Sequence, residues 1–159
     1  MNKIVEYEEK YLPEVISMCV DLAEYEKSLG RMDYRENFVE LFASFWDWLE
    51  MIAINPNYKI FIAKKDDSPI GMIIGKIQNG LPFMENDRIG IVDAIYVKPE
   101  YQKSKCTYML NEAIEEWFKN RGIKLISFSA YRNNNEIIEI TNKRGYKKNL
   151  ITFNKELSL

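Results

Sequence analysis

Apolar side chains recur at three- and four-residue spacing over about 10–28, where Leu12, Val15, Ile16, Cys19, Leu22 and Ala23 share one face and Glu14, Asp21, Glu24 and Lys27 the other. This spacing predicts a helix, with Gly30 as its stop. A second helix is expected over about 34–53, carried by the stripe Phe38, Leu41, Phe42, Phe45, Trp48, Leu49 and Ile52. The period then changes. Residues 59–65 and 70–77 read as strands joined by the turn Asp66-Asp67-Ser68-Pro69, after a short opening strand at 3–7. A further strand is expected at about 88–97 and a helix at 106–120, with Leu110, Ala113, Ile114, Trp117 and Phe118 on its buried side and Gly122 as its stop. A strand at 124–129, a short helix at about 134–143 and closing strands at about 145–148 and 151–157 complete the prediction.

That order implies an α/β (α+β) fold, a mixed sheet with helices against its faces, in which the 106–120 helix crosses over between parallel strands. A chain of 159 residues, 47% apolar, has room for one domain with a sizeable core, so residues 1–159 are expected to form a single unit.

The formal charge of -2 gives no field that favours nucleic acid, and no concentrated basic, aromatic strip is present. Charge is uneven, however: residues 1–52 carry twelve acids and five bases, which leaves the remainder more basic and suited to a local anion site. Histidine is absent, which removes Ser-His-Asp and Cys-His catalysis and zinc held by histidine. Cys19 and Cys106 make neither a CxxC pair nor a disulfide framework. No run approaches the roughly 18 to 20 apolar residues of a membrane span, and no basic start leads into an apolar leader. A cytoplasmic location, without membrane or nucleic-acid partners, is the expectation.

The segment Ile91-Val92-Asp93-Ala94-Ile95-Tyr96-Val97-Lys98-Pro99-Glu100-Tyr101-Gln102-Lys103-Ser104-Lys105-Cys106-Thr107 resembles the GCN5-related N-acetyltransferase (GNAT) superfamily. The later stretch from Asn134 through Gly145-Tyr146 is similar to that family's terminal helix and Gly-Phe/Tyr turn. The resemblance implies a V-shaped sheet that splays between its fourth and fifth strands, and acetyl-coenzyme A as cofactor, with no metal. By the same likeness Ile95, Tyr96 and Val97 would meet the pantetheine arm with their backbone. Gln102, Lys103, Ser104, Lys105, Cys106 and Thr107, with the amide of Tyr108, would surround the pyrophosphate. Backbone N–H groups at a helix start do converge on anions that the helix dipole favours, whatever the family.

Asp93 occupies the position where family members often carry an acid that handles an amine proton, and simple alternation places it on the side of Ile91 and Ile95. The family's phosphate pattern, Gln/Arg-x-x-Gly-x-Gly/Ala, meets Lys105 and Thr107 at its two small positions. A left-handed backbone at Lys105 would cost about 1–2 kcal/mol. The tyrosine that often protonates the departing thiolate is replaced by Thr141, with Tyr131, Tyr108 and Tyr146 as the other phenols nearby in sequence. Cys106 suits a covalent acyl carrier poorly, because no histidine is present to activate it.

The expected activity is acetyl transfer from acetyl-coenzyme A to a small-molecule or protein amine. The alternative is a catalytically reduced GNAT-like domain for ligand sensing or protein interaction, motivated by Lys105, Thr107 and Thr141. A homodimer is compatible with either.

Overall fold

The computed structural model describes residues 1–102 and 104–158. Nine main elements follow one another: β1 Asn2–Glu6, α1 Leu12–Ser28, α2 Phe38–Ala53, β2 Tyr58–Lys65, β3 Ser68–Asn79, β4 Arg88–Val97, α3 Cys106–Asn120, β5 Ile126–Phe128 and α4 Asn135–Lys143. The strands form one sheet in the order β1-β2-β3-β4-β5, antiparallel until the last pair. β4 and β5 run parallel, which is what α3 as a crossover requires.

Local chemistry sets the element ends. Gly30 at φ 102° ends α1, where Gly30 N–H donates to Lys27 and Arg31 N–H to Glu26. Asn37 caps α2 by accepting from the amides of Val39 and Glu40 at 2.9 and 3.1 Å. Between β2 and β3 the turn needs one left-handed residue, and Asp66 takes it at φ 55°.

Both faces of the sheet are covered. α1 and α2 pack Val15, Ile16, Leu49 and Ile52 against Ile60, Ile62, Met72 and Ile74 on one face. α3 packs Leu110, Ile114 and Phe118 against Ile73, Ile77, Val92 and Ile95 on the other. β3 is therefore buried on both sides, and Ile70–Gly75 carry no exposed residue. The Phe118 ring fits only because β3 and β4 offer glycines there: a Cβ at Gly75 would lie 3.0 Å from its Cζ and one at Gly90 2.7 Å from its Cδ1.

Two sequence expectations need correction. The closing strands at 145–148 and 151–157 are not formed; Leu150, Ile151 and Phe153 stand at least 77% exposed. β-propensity marks a segment that suits a pleated surface, while strand formation needs an edge to pair with. β5 is also shorter than the expected 124–129, with only three residues in the ladder. Among the described residues no helix is long and apolar enough to cross a membrane.

Candidate active site

The site begins with a break in the β3–β4 ladder. Ile74 pairs with Ala94 and Gly75 with Val92, so Asp93 is an extra residue on β4, a β-bulge. The bulge shifts the phase of the strand. Val92, Ile95 and Val97 all pack toward α3, while Asp93 and Ala94 turn to the α1–α2 side. Asp93 thus shares a side with Ile91 but not with Ile95, which corrects the simple alternation expected from sequence.

Past the bulge the other edge of β4 opens. Pairing with β5 covers only Gly90, Ile91 and Val92. Lys98 N–H donates to the Ile70 carbonyl at 2.9 Å, so the antiparallel alternation turns the backbone groups of Tyr96 toward β3 and those of Ile95 and Val97 away from it. Gln102 Nε2 donates to the outward Val97 carbonyl at 3.2 Å, which ties the following loop to the open edge. The Tyr96 side chain lies on the opposite face, against the α1–α2 core, where burial pushes its phenol up to about 12.

A single 3-10 turn, Pro99–Tyr101, leads into the loop. Ser104 closes back on Tyr101, with its amide donating to that carbonyl at 2.9 Å and its hydroxyl at 2.5 Å. Lys103 lies outside the described residues. The first helical bond of α3 is Met109 N–H to Lys105 carbonyl at 3.0 Å, and no side chain caps the helix from Lys105. The amides of Thr107 and Tyr108 therefore face out of the helix end, where the dipole favours an anion. Lys105 sits at φ -71°, so the left-handed strain expected from sequence does not arise. Thr107 is 5% exposed, its branched side chain packed inside the protein instead of standing over the loop.

Cys106 is turned away from this surface. It is fully buried, and its sulfur accepts from Asn2 Nδ2 of β1 at 3.1 Å. Cys19 is buried too, and desolvation raises its thiol to about 12. Ellman's reagent is accordingly expected to leave both cysteines of the native protein unmodified over minutes and to titrate both in guanidinium; fast native reaction at Cys106 would show that the α3 start is open.

On the α1–α2 face, beside Asp93, lies a cleft of about 470 Å3. Its charged lining comes from separate elements. Lys76 of β3 places Nζ 2.9 Å from Asp93 Oδ1. Arg31, from the α1–α2 connection, bridges Glu26 at 2.8 Å and Asp33 at 2.6 Å and stacks over the Tyr34 ring at 4.2 Å. Tyr34 completes the cluster by donating to Glu26 Oε2 at 2.7 Å. Burial works against the Arg31 charge, but the hydrogen bonds to Asp33 and Glu26 win and hold its pKa above the ordinary value. Burial and then Glu26 raise the Tyr34 phenol.

The phenols expected as proton donors divide. Tyr131 has a raised pKa, first from burial, with Arg31 lowering it and Glu26 and Asp33 raising it, which places it within electrostatic reach of the cleft. Tyr108 lies under Arg144 at 4.5 Å, and Tyr146 donates to Glu115 at 3.2 Å. Arg144 also forks onto Glu115 at 2.8 and 2.6 Å, so these groups fasten the end of α4 to α3. Thr141 Oγ1 donates to the Ile137 carbonyl of its own helix at 2.6 Å.

The structure therefore gathers Asp93 with Glu26, Arg31, Asp33, Tyr34 and Lys76, none of which stands out in the sequence as a site residue. Lys76 carries one signal that could have marked it: it is the single charge inside the apolar run Ile70–Ile77. Among the described residues no group of three or more His, Cys, Asp or Glu side chains gathers as a metal site would require.

The profile of the Acetyltransferase (GNAT) family matches residues 20–146, from α1 through the turn after α4. The chain belongs to the GNAT family. Solved structures agree on the fold of this GNAT chain. A transcriptional regulator from Bacillus halodurans superposes with TM-score 0.80 at 16% identity, covering 99% of this chain and 100% of that one. A predicted acetyltransferase from Clostridium acetobutylicum, solved with acetyl-CoA, gives 0.78 at 14% identity over 97% and 96% of the two chains. The aminoglycoside N-acetyltransferase AAC(6')-Iy, in complex with a CoA bisubstrate analogue, gives 0.77 at 16% identity over 99% of each. At such identities the likeness is one of fold. A search of curated protein sequences finds no match.

Proposed function

We propose that this GNAT chain transfers an acetyl group from acetyl-coenzyme A to an amine held in the α1–α2 cleft. The observation that carries this reading is the bulge at Asp93. It turns a carboxylate into the cleft while the next residues, Ile95 and Val97, present backbone groups on the opened edge of the same strand. On this reading donor and acceptor meet at one short stretch of β4, and proximity of this kind is a large part of catalysis in acyl transfer.

The residues fit the donor. Ile95 and Val97 would hold its amide-bearing arm, and Gln102, Ser104 and the amides at Lys105, Thr107 and Tyr108 would surround its phosphates, with Lys105 as a cation; the Cys106 amide donates to Ser104 Oγ at 3.4 Å. The right-handed backbone at Lys105 and the buried side chain of Thr107 put neither of these two departures from the family pattern in the way of such an anion. When bound, acetyl-coenzyme A supplies the acetyl group as an activated thioester. The chain's own work is then on the amine, which must lose a proton as its nitrogen forms the new C–N bond and the C–S bond breaks. Asp93 accepts that proton, directly or through a water.

Thr141 supports a second reading, a catalytically reduced domain that senses a ligand or binds a protein, because its hydroxyl is committed to the Ile137 carbonyl and gives no phenolic acid to a leaving thiolate. Isothermal titration of acetyl-coenzyme A, with coenzyme A as comparison, tests the donor site. Saturable one-site binding in the micromolar to millimolar range usual for enzymes is expected, followed by acceptor-dependent thiol release across an amine panel. Absence of binding well above that range removes acetyl-coenzyme A as donor. Binding with no release by any amine favours the reduced domain.

A further inference from the structure

Every acid lining the acceptor cleft already has a cationic partner, with Arg31 shared between two of them. Glu26 and Asp33 are both answered by Arg31, and Asp93 by Lys76. Arg35 at the rim pairs with Glu40 at 3.4 Å. A polycation gains its affinity from several unneutralised acids acting together. Here a second or third ammonium would meet acids already paired and would lie close to a guanidinium. A single ammonium needs one exchange only: it takes the place of Lys76 at Asp93, and Lys76, whose side chain is 28% exposed, can turn to water.

The apolar lining matches a ligand of that kind. Tyr34, Phe45, Trp48 and Tyr58 contribute rings to the cleft wall. Tyr34 and Phe45 stand 6.3 Å apart and Phe45 and Trp48 6.4 Å apart, both tilted, so faces and edges alternate along the wall. Such a surface receives a flat ring by stacking and edge contact. The volume of about 470 Å3 falls within the range of small-molecule sites.

We propose that the acceptor is a monoamine carried on a flat aromatic body, and that Lys76 is a specificity-determining residue that turns polycations away. The inference rests on the acyl-transfer reading for its chemistry and on the cleft alone for its ligand. Lys76 acts through Asp93 as a built-in counter-ion: an aromatic monoamine recovers the exchange by stacking, whereas a polycation has to displace Lys76 and also approach Arg31.

The test compares phenethylamine, spermidine, kanamycin and a lysine-containing peptide, by titration without donor and by thiol release with acetyl-coenzyme A, in the wild type and in Lys76→Met and Lys76→Gln. The wild type is expected to favour phenethylamine by at least tenfold in affinity and in kcat/KM. Either Lys76 variant should shift the spermidine to phenethylamine ratio tenfold or more toward spermidine, a change that a loss of fold would not produce. A wild type that prefers a polycation or the peptide, a wild type that binds no monoamine, or a ratio unmoved in both variants would overturn the proposal. Phenethylamine binding in a protein that does not bind acetyl-coenzyme A would uphold the ligand class while the acyl-transfer reading fails.

Discussion

Replacing Asp93 by asparagine is expected to lower kcat/KM for the amine by about 10²- to 10⁴-fold, the usual worth of a positioned general base, or about 3–5 kcal/mol of transition-state stabilisation. Acetyl-coenzyme A affinity should hardly change, because the groups proposed to hold it, the backbone of Ile95 and Val97, lie on the open edge of β4, whereas the Asp93 side chain points into the cleft. Asparagine keeps the size of the side chain on the bulge and removes its capacity to take a proton. The residual rate then depends on amine already deprotonated in solution. It should rise by about tenfold per pH unit below the amine's own pKa, a steeper dependence than in the wild type, where Asp93 takes the proton. Circular dichroism guards against a folding defect, since the variant leaves Lys76 without its 2.9 Å partner. A loss smaller than about fivefold, with the pH profile unaltered, would reduce Asp93 to a structural counter-ion of Lys76.

The bulge that makes Asp93 interesting is also the feature that sequence reading could not see. Residue type alone singles out Asp93 as an acid inside an apolar strand, but period-two alternation has no means of announcing an extra residue, and one such residue moves everything after it to the other face. The helices were legible for the opposite reason. The stripes of α1 and α3 repeat over 17 and 15 residues, so a single exception does not erase the pattern, and Leu110, Ile114 and Phe118 are buried as their spacing predicts. A glycine in a family pattern need not mean a left-handed backbone; at Lys105 the position has φ -71°. The pairing of Arg144 with Glu115, 29 residues away, and of Lys76 with Asp93 across the β3–β4 ladder are tertiary facts that no local spacing contains. The end of the chain shows the same limit from the other side. Leu150, Ile151 and Phe153 have strand propensity, yet propensity names no partner, and the segment is unpaired.

Phe118→Ala is expected to destabilise the protein by about 3–5 kcal/mol, a large share of the roughly 5–15 kcal/mol that holds a domain of ordinary stability. The side chain is wholly buried, and it closes the space between α3 and the two glycines on β3 and β4. Removing it leaves a ring-sized cavity beside Gly90, where β4 pairs with β5 just before the strands part. Equilibrium urea unfolding measures the loss. Gly90→Ala makes the reciprocal test: its new Cβ would lie 2.7 Å from the ring, and overpacking of that kind costs about 1–3 kcal/mol. In the Phe118→Ala background the same methyl group enters the cavity, so most of its cost should vanish and the double mutant should be more stable than the sum of the singles implies. Strict additivity would mean that α3 relaxes away from the sheet rather than being held by this ring. In that case the start of α3 would owe its position to the Arg144–Glu115 fork and to the Gln102–Val97 contact.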